Sequence, residues 1–280
     1  MYFRRLILNA IVAGCLAGIV LSIVQVLTVT PIIEAAESFE VSGSASETVV
    51  ASSATSALTD PASSTSVAID AGQAETSGHH HHSGDAWAPG DGLERLLFTV
   101  LSNTLAGIGF SALVLALMNQ LQIMGVLRMT SPIGLVWGIA GFVVFFLAPG
   151  LGMQPEIPGM QSAPVLTRQF WWLSTVIGVG VGLLVLAYAP VKFKVLGLLG
   201  LGIPFVFKAP HLDAPGFTHP DPAVVDTFMA LQDKFFMFSG ISNLAFWIVI
   251  GLACGWAISR WLPDTVKGQS TEPATRVNAV

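Results

Sequence analysis

LILNAIVAGCLAGIVLSIVQVLTV, residues 6–29, carries no charged side chain along its 24 residues. That exceeds the ~20 apolar residues with which a helix crosses the hydrocarbon core of a bilayer. The stretch follows Arg4 and Arg5 as a secretion signal would. Its apolar part is longer than the ~7–15 residues of a signal core, so it reads as a retained span. Four more charge-free apolar runs follow, at 96–117, 133–153, 170–189 and 235–259.

A sixth run, 195–207, has 13 residues between Lys194 and Lys208 and contains Pro204. Snorkelling lysines and local thinning let so short a helix cross, and neighbouring protein shields one broken by proline. It reads as a span in preference to a re-entrant segment. The expected fold is an all-α integral membrane protein, a bundle of about six transmembrane helices with five as the alternative, carrying a long disordered external loop.

Composition agrees, with 53% hydrophobic and 10% charged residues, against roughly a quarter charged in a soluble domain. The net charge is −5 and the cations are dispersed, without the basic, aromatic-interleaved patch of a nucleic-acid binder. Cys15 and Cys254 fall inside predicted spans and read as small packing residues, with no cysteine pair at metal-site spacing. No G-x-x-x-x-G-K-[ST], H-E-x-x-H or G-x-S-x-G motif occurs, so no enzyme is expected and no organic cofactor.

The chain divides into residues 1–40, a first helix and the approach to the loop; 41–84, a Ser/Thr/Ala-rich stretch too poor in apolar residues to offset the entropy of ordering; 85–262, a five-helix membrane core; and 263–280, a flexible tail. Six spans place both termini on one side. Arg4, Arg5, Arg128, Lys192, Lys194, Arg260, Lys267 and Arg276 then share that side, and Arg95, Arg168, Lys208 and Lys234 lie opposite. Eight cations against four puts the termini in the cytoplasm by the positive-inside rule. Glycines four apart recur in the spans, at Gly14 and Gly18, Gly134 and Gly138, Gly178 and Gly182, and Gly251 and Gly255. Such pairs let helices approach closely, within one chain or in a homo-oligomer; packing within the chain is the preferred reading.

All six histidines fall on the predicted external face: His79, His80, His81, His82, His211 and His219. Neutral imidazole suits Co, Ni, Cu and Zn. Four consecutive histidines with Asp85 just beyond can collect a metal with fast exchange, although a short histidine run also arises in low-complexity linkers or as an added tag. His211 and His219, flanking Asp213 and with Asp221 close by, form either a second capture site or an ordinary solvated loop. No charged residue lies at mid-depth in the apolar runs. A polar route would need Gln25, Asn103, Asn243, methionine side chains and carbonyls freed near Pro149 and Pro204. Interhelical hydrogen bonding accounts for the amides equally well.

Several separated motifs resemble one family, the predicted cobalt transporter subunit CbtA. They are Phe3–Arg4–Arg5–Leu6, Pro31–Ile32–Ile33–Glu34–Ala35, Ala86–Trp87–Ala88–Pro89 with Asp91–Gly92–Leu93–Glu94–Arg95, Phe146–Leu147–Ala148–Pro149, Pro155–Glu156–Ile157–Pro158–Gly159–Met160, Arg168–Gln169–Phe170–Trp171–Trp172 and Ala209–Pro210–His211. The resemblance covers nearly everything except 41–78. It implies a bacterial inner-membrane protein, Co²⁺ as transported substrate with Ni²⁺ as the second candidate, and a small single-span, His-bearing partner, CbtB. Glu94, Arg95, Glu156, Arg168 and Trp87 then read as interfacial anchors or gating pairs, with Asn103 and Asn243 as pathway candidates and Glu156 as a further metal-ligand candidate. The competing class is a membrane metal-sensing or assembly subunit that transports nothing.

Overall fold

The computed structural model describes residues 2–39, 89–90, 92–211, 216–219 and 221–261. The loop expected to be disordered and the C-terminal tail lie outside them. Among the described residues there are helices and no strands: α1 (Tyr2–Thr28), α2 (30–39), α3 (Leu93–Ile123), α4 (Ser131–Phe142), a π turn (Val143–Leu147), α5 (Ala148–Gly152), α6 (Val165–Tyr188), a 3-10 turn (Val191–Phe193), α7 (Lys194–Val206) and α8 (Pro222–Trp261).

Among the described residues, five helices are long and apolar enough to cross a membrane: Phe3–Thr28, Leu93–Ile123, Ser131–Gly152, Val165–Tyr188 and Pro222–Arg260. The disputed sixth run is the helix α7, about 20 Å long at 1.5 Å per residue. It folds back along α6 with Gly197 against Gly182 and Gly200 against Gly178. The chain leaving it reaches Trp171, whose Nε1 donates to the Phe207 carbonyl at 3.1 Å. Phe207 thus lies level with the first turns of α6, so this short helix and its extension carry the chain back to the end from which α6 started.

The packing sorts the ends. Gly14 meets Gly107 and Ile108, while Gly18 meets Asn103 and Thr104, which makes α1 and α3 antiparallel. Gly134 meets Gly251 and Gly255, and Gly138 meets Trp247, which makes α4 and α8 antiparallel. Trp137 stacks on Tyr188, bringing the end of α6 to the start of α4. One end, here the terminal end, therefore holds Arg4, Arg5, Arg128, Lys192, Lys194 and Arg260. The other, the loop end, holds Arg95, Arg168, Lys208 and Lys234, the grouping expected from the sequence. All four glycine pairs are used at crossings inside the chain.

Lipid offers no hydrophobic drive between helices, so close packing must hold the bundle together. Ala10, Ala13 and Ala17 give α1 a smooth face against α3 and α8, around the fully buried Leu115, Met118, Ile250 and Ile258. Leu16, Val136 and Phe170 point outward, as lipid-facing side chains do.

Two boundaries differ from the apolar runs. Pro31, lacking an N–H, interrupts the ladder of α1, and the chain turns at Val29 before resuming as α2. Helix α8 begins at Pro222 and not at 235. Its added turns are amphipathic, with Phe228 and Gln232 buried and Asp226, Asp233 and Lys234 exposed, so a search for charge-free runs passes over them.

Candidate functional site

At the loop end, Pro149 sets the local geometry. It has no N–H to donate backward, and the helix admits it through the π turn, where the Ala148 N–H reaches the Val143 carbonyl. The widened turn and the start of α6 leave a cavity of about 200 Å³ between them. Phe145, Phe146 and Pro149 form its apolar wall; Met153, Gln154 and Glu156 bring a thioether, an amide and a carboxylate.

The connection carrying those groups is held from three sides. Ile157 to Met160 form a type II turn, with Pro158 at its second position and Gly159 at its third at φ 87°, a conformation that favours glycine. The turn drives Ile157 into a buried cluster with Ala36 and Phe228. Gln232 clamps the segment before it: Nε2 donates to the Pro155 carbonyl at 2.7 Å, and Oε1 accepts from the Ile157 N–H at 3.1 Å. The Gln161 N–H donates to the Gly216 carbonyl at 2.7 Å, tying in the segment before α8.

At the cavity, Arg168 Nη1 donates to Glu156 Oε2 at 2.8 Å, with both side chains largely covered. The Nε of the same guanidinium is buried without an acceptor. A second pair, Glu37 with Arg95, docks α2 on α3 by a two-pronged contact of 2.5 and 3.2 Å. The guanidinium hydrogen-bonded to it holds the Glu37 carboxyl below its ordinary value. Glu94 Oε2 accepts from the Gly90 N–H at 3.1 Å ahead of α3.

The other expected residues have these positions. His79, His80, His81, His82, Asp85 and Trp87 lie outside the described residues. His211 is exposed. His219 Nδ1 accepts from the Asp221 N–H at 3.0 Å, which leaves the neutral ring's proton on Nε2; a metal would have to displace that bond. Asp221 caps α8, its Oδ1 accepting from the Ala223 N–H at 2.9 Å. Among the described residues no three His, Cys, Asp or Glu side chains converge on one metal position. Asn103 Nδ2 donates across the α1–α3 crossing to Ser22 Oγ at 3.0 Å and Gln25 Oε1 at 2.7 Å, joining two of the amides singled out in the sequence. Asn243 donates to the Ser239 carbonyl of its own helix.

Sequence reading passed over Gln232 and the π turn, and it named methionines for a polar route without singling out Met153. The signal for the π turn was Pro149 inside an apolar run. Gln232 had none beyond its place in an amphipathic stretch.

All seven described carboxylates, Glu34, Glu37, Glu94, Glu156, Asp221, Asp226 and Asp233, belong to the loop end. No curated protein and no solved structure matches the chain. The family model described as a probable cobalt transporter subunit, CbtA, matches residues 3–259, nearly the whole of this multi-pass membrane protein. The chain belongs to the CbtA family.

Proposed function

We propose that this chain is the membrane-embedded part of a bacterial inner-membrane importer that gathers Co²⁺ at its loop end and passes it inward through the bundle. The observation that carries the reading is the separation of charge. Among the described residues the loop end has seven carboxylates against four cations, while the terminal end has six cations and no carboxylate. The positive-inside rule orients such a molecule with its termini in the cytoplasm and its acidic face outside. An acidic face raises the local concentration of a divalent cation before any ligand is engaged.

His79, His80, His81, His82, Asp85, His211 and His219 are the proposed collectors on that face. The cavity under Glu156 is the proposed next station, with carboxylate and amide oxygens and a thioether that a borderline divalent metal accepts. Arg168 weakens the hold of Glu156 on a cation, in keeping with a transport site that must release what it binds. Family members are described as subunits. The partner in this reading is a small single-span, His-bearing chain of the CbtB type, with Ni²⁺ as a competing cargo.

The test is ⁵⁷Co uptake in cells that lack other importers, with the partner co-expressed. The intact chain is compared with one in which all six histidines are alanine, and with Glu156→Gln. Loss of uptake in both variants at unchanged membrane abundance supports collection followed by passage. Uptake that survives Glu156→Gln removes the cavity from the route, and uptake that survives the histidine substitutions moves capture to other groups. No uptake by the intact chain favours a sensing or assembly role.

A further inference from the structure

We propose that the cleft between α3, α4 and α6 is a binding site for one anionic phospholipid of the bilayer, with an acyl chain inside the cleft and the phosphate at Lys192 and Lys194. The cleft measures about 520 Å³ and is lined almost wholly by carbon. Its rim residues Leu113, Val136, Ile177 and Val181 are between 46% and 64% exposed, so it opens sideways on the face that meets lipid tails. Gly141 and Gly180 hollow its wall, and no charged side chain enters it. A dehydrated cation would find no ligand there, whereas a hydrocarbon chain loses nothing by leaving its neighbours.

The headgroup's place follows from what stands at one mouth of the cleft. Trp137 and Tyr188, stacked with centroids 6.4 Å apart, line it at the terminal end. Aromatic rings of this kind sit at headgroup level. Lys192 and Lys194 follow Tyr188 by four and six residues, both exposed, with Lys192 Nζ 5.0 Å from the Phe193 ring centroid. Among the described residues that end carries no carboxylate to compete for them. Basic groups at the cytoplasmic mouth of a cleft between membrane helices select anionic headgroups.

The purified chain is reconstituted in nanodiscs of phosphatidylglycerol and phosphatidylcholine in equal amounts, moved to a mild detergent, and weighed with its retained lipid by native mass spectrometry. One phosphatidylglycerol per chain is expected in preference to phosphatidylcholine. Replacing both lysines, Lys192→Ser with Lys194→Ser, should lower that preference by up to roughly thirty-fold, each basic residue near an anionic surface contributing about a factor of five. Both lysines are exposed, so the fold is spared. Gly180→Leu should abolish retention of either lipid, since an added Cβ there meets only Val144 at 3.5 Å and the rest of the side chain fills the cleft. Equal retention of the two lipids, retention unchanged by either variant, or a second copy of the chain bound in place of lipid would each overturn the proposal.

Discussion

Gly134 and Gly251 meet backbone to backbone at the α4–α8 crossing, each carbonyl oxygen standing where the other residue's Cβ would be. Backbone on both sides leaves nothing flexible to yield. Gly251→Ala should therefore destabilise by about 1–3 kcal/mol, the usual cost of overpacking. Gly109→Ala is the matched control, since an added Cβ there meets nothing within 4 Å. It should be neutral or stabilising by up to about 1 kcal/mol, the helix-propensity difference. Thermal melts of the two variants in one detergent check the contrast, and equal melts would show that the crossing is looser than it stands here.

The Glu37–Arg95 pair links acidity to the docking of α2. Its carboxyl is held below the ordinary value of 4.5 by the guanidinium hydrogen bond first, and by the charge of Arg95 in addition. A lowered folded-state value means that the pair's contribution is complete above about 4.5 and is lost as pH falls below it. Both side chains are more than a third exposed, so the contribution is at most about 1 kcal/mol. Spin labels on α2 and α3 should report a constant separation from pH 7 to about 4.5, with loosening beneath. Glu37→Gln should remove that pH dependence; a transition that persists would belong to another group.

Gln232 is 5% exposed and satisfies two backbone groups of the connection that carries Glu156. Gln232→Leu strands both, at about 1–3 kcal/mol for each buried group left without a partner. The expected outcome is a lowered melt and faster proteolysis between residues 153 and 164. Gln232→Glu keeps the acceptor for Ile157 N–H and should lose less.

The spans were legible in the sequence because a charge-free run of twenty or more residues has few alternatives in water, and the packing glycines because only small side chains permit such approach. The chemistry of the loop end was less so. Glu37 and Arg95 stand 58 residues apart, and their meeting depends on the register of α1 against α3. The cavity depends on a turn widened by Pro149, whose consequence, a bond from the Ala148 N–H to the Val143 carbonyl five residues before it, has no periodic signature. Glu156 and Arg168 were both singled out in the sequence, but their contact needed the Pro158–Gly159 turn to set the direction of the chain between them.

Asn103 separates two roles that the sequence left open for the membrane amides. Its side-chain nitrogen donates to both Ser22 and Gln25, which is the arrangement of a bond between helices. If that is its role, Asn103→Ala and Gln25→Ala should each lower the melt. Their double-mutant coupling should be about 0.6 kcal/mol, with about 1.7 as the upper bound for such pairs. ⁵⁷Co uptake per folded chain should then stay unchanged, because the Gln25 carbonyl oxygen is committed to the Asn103 amide N–H. A pathway role predicts the opposite pattern, uptake lost with little change in the melt, since a passing cation needs the Gln25 carbonyl oxygen that Asn103 now occupies. Uptake and melting measured on the same four proteins decide between them.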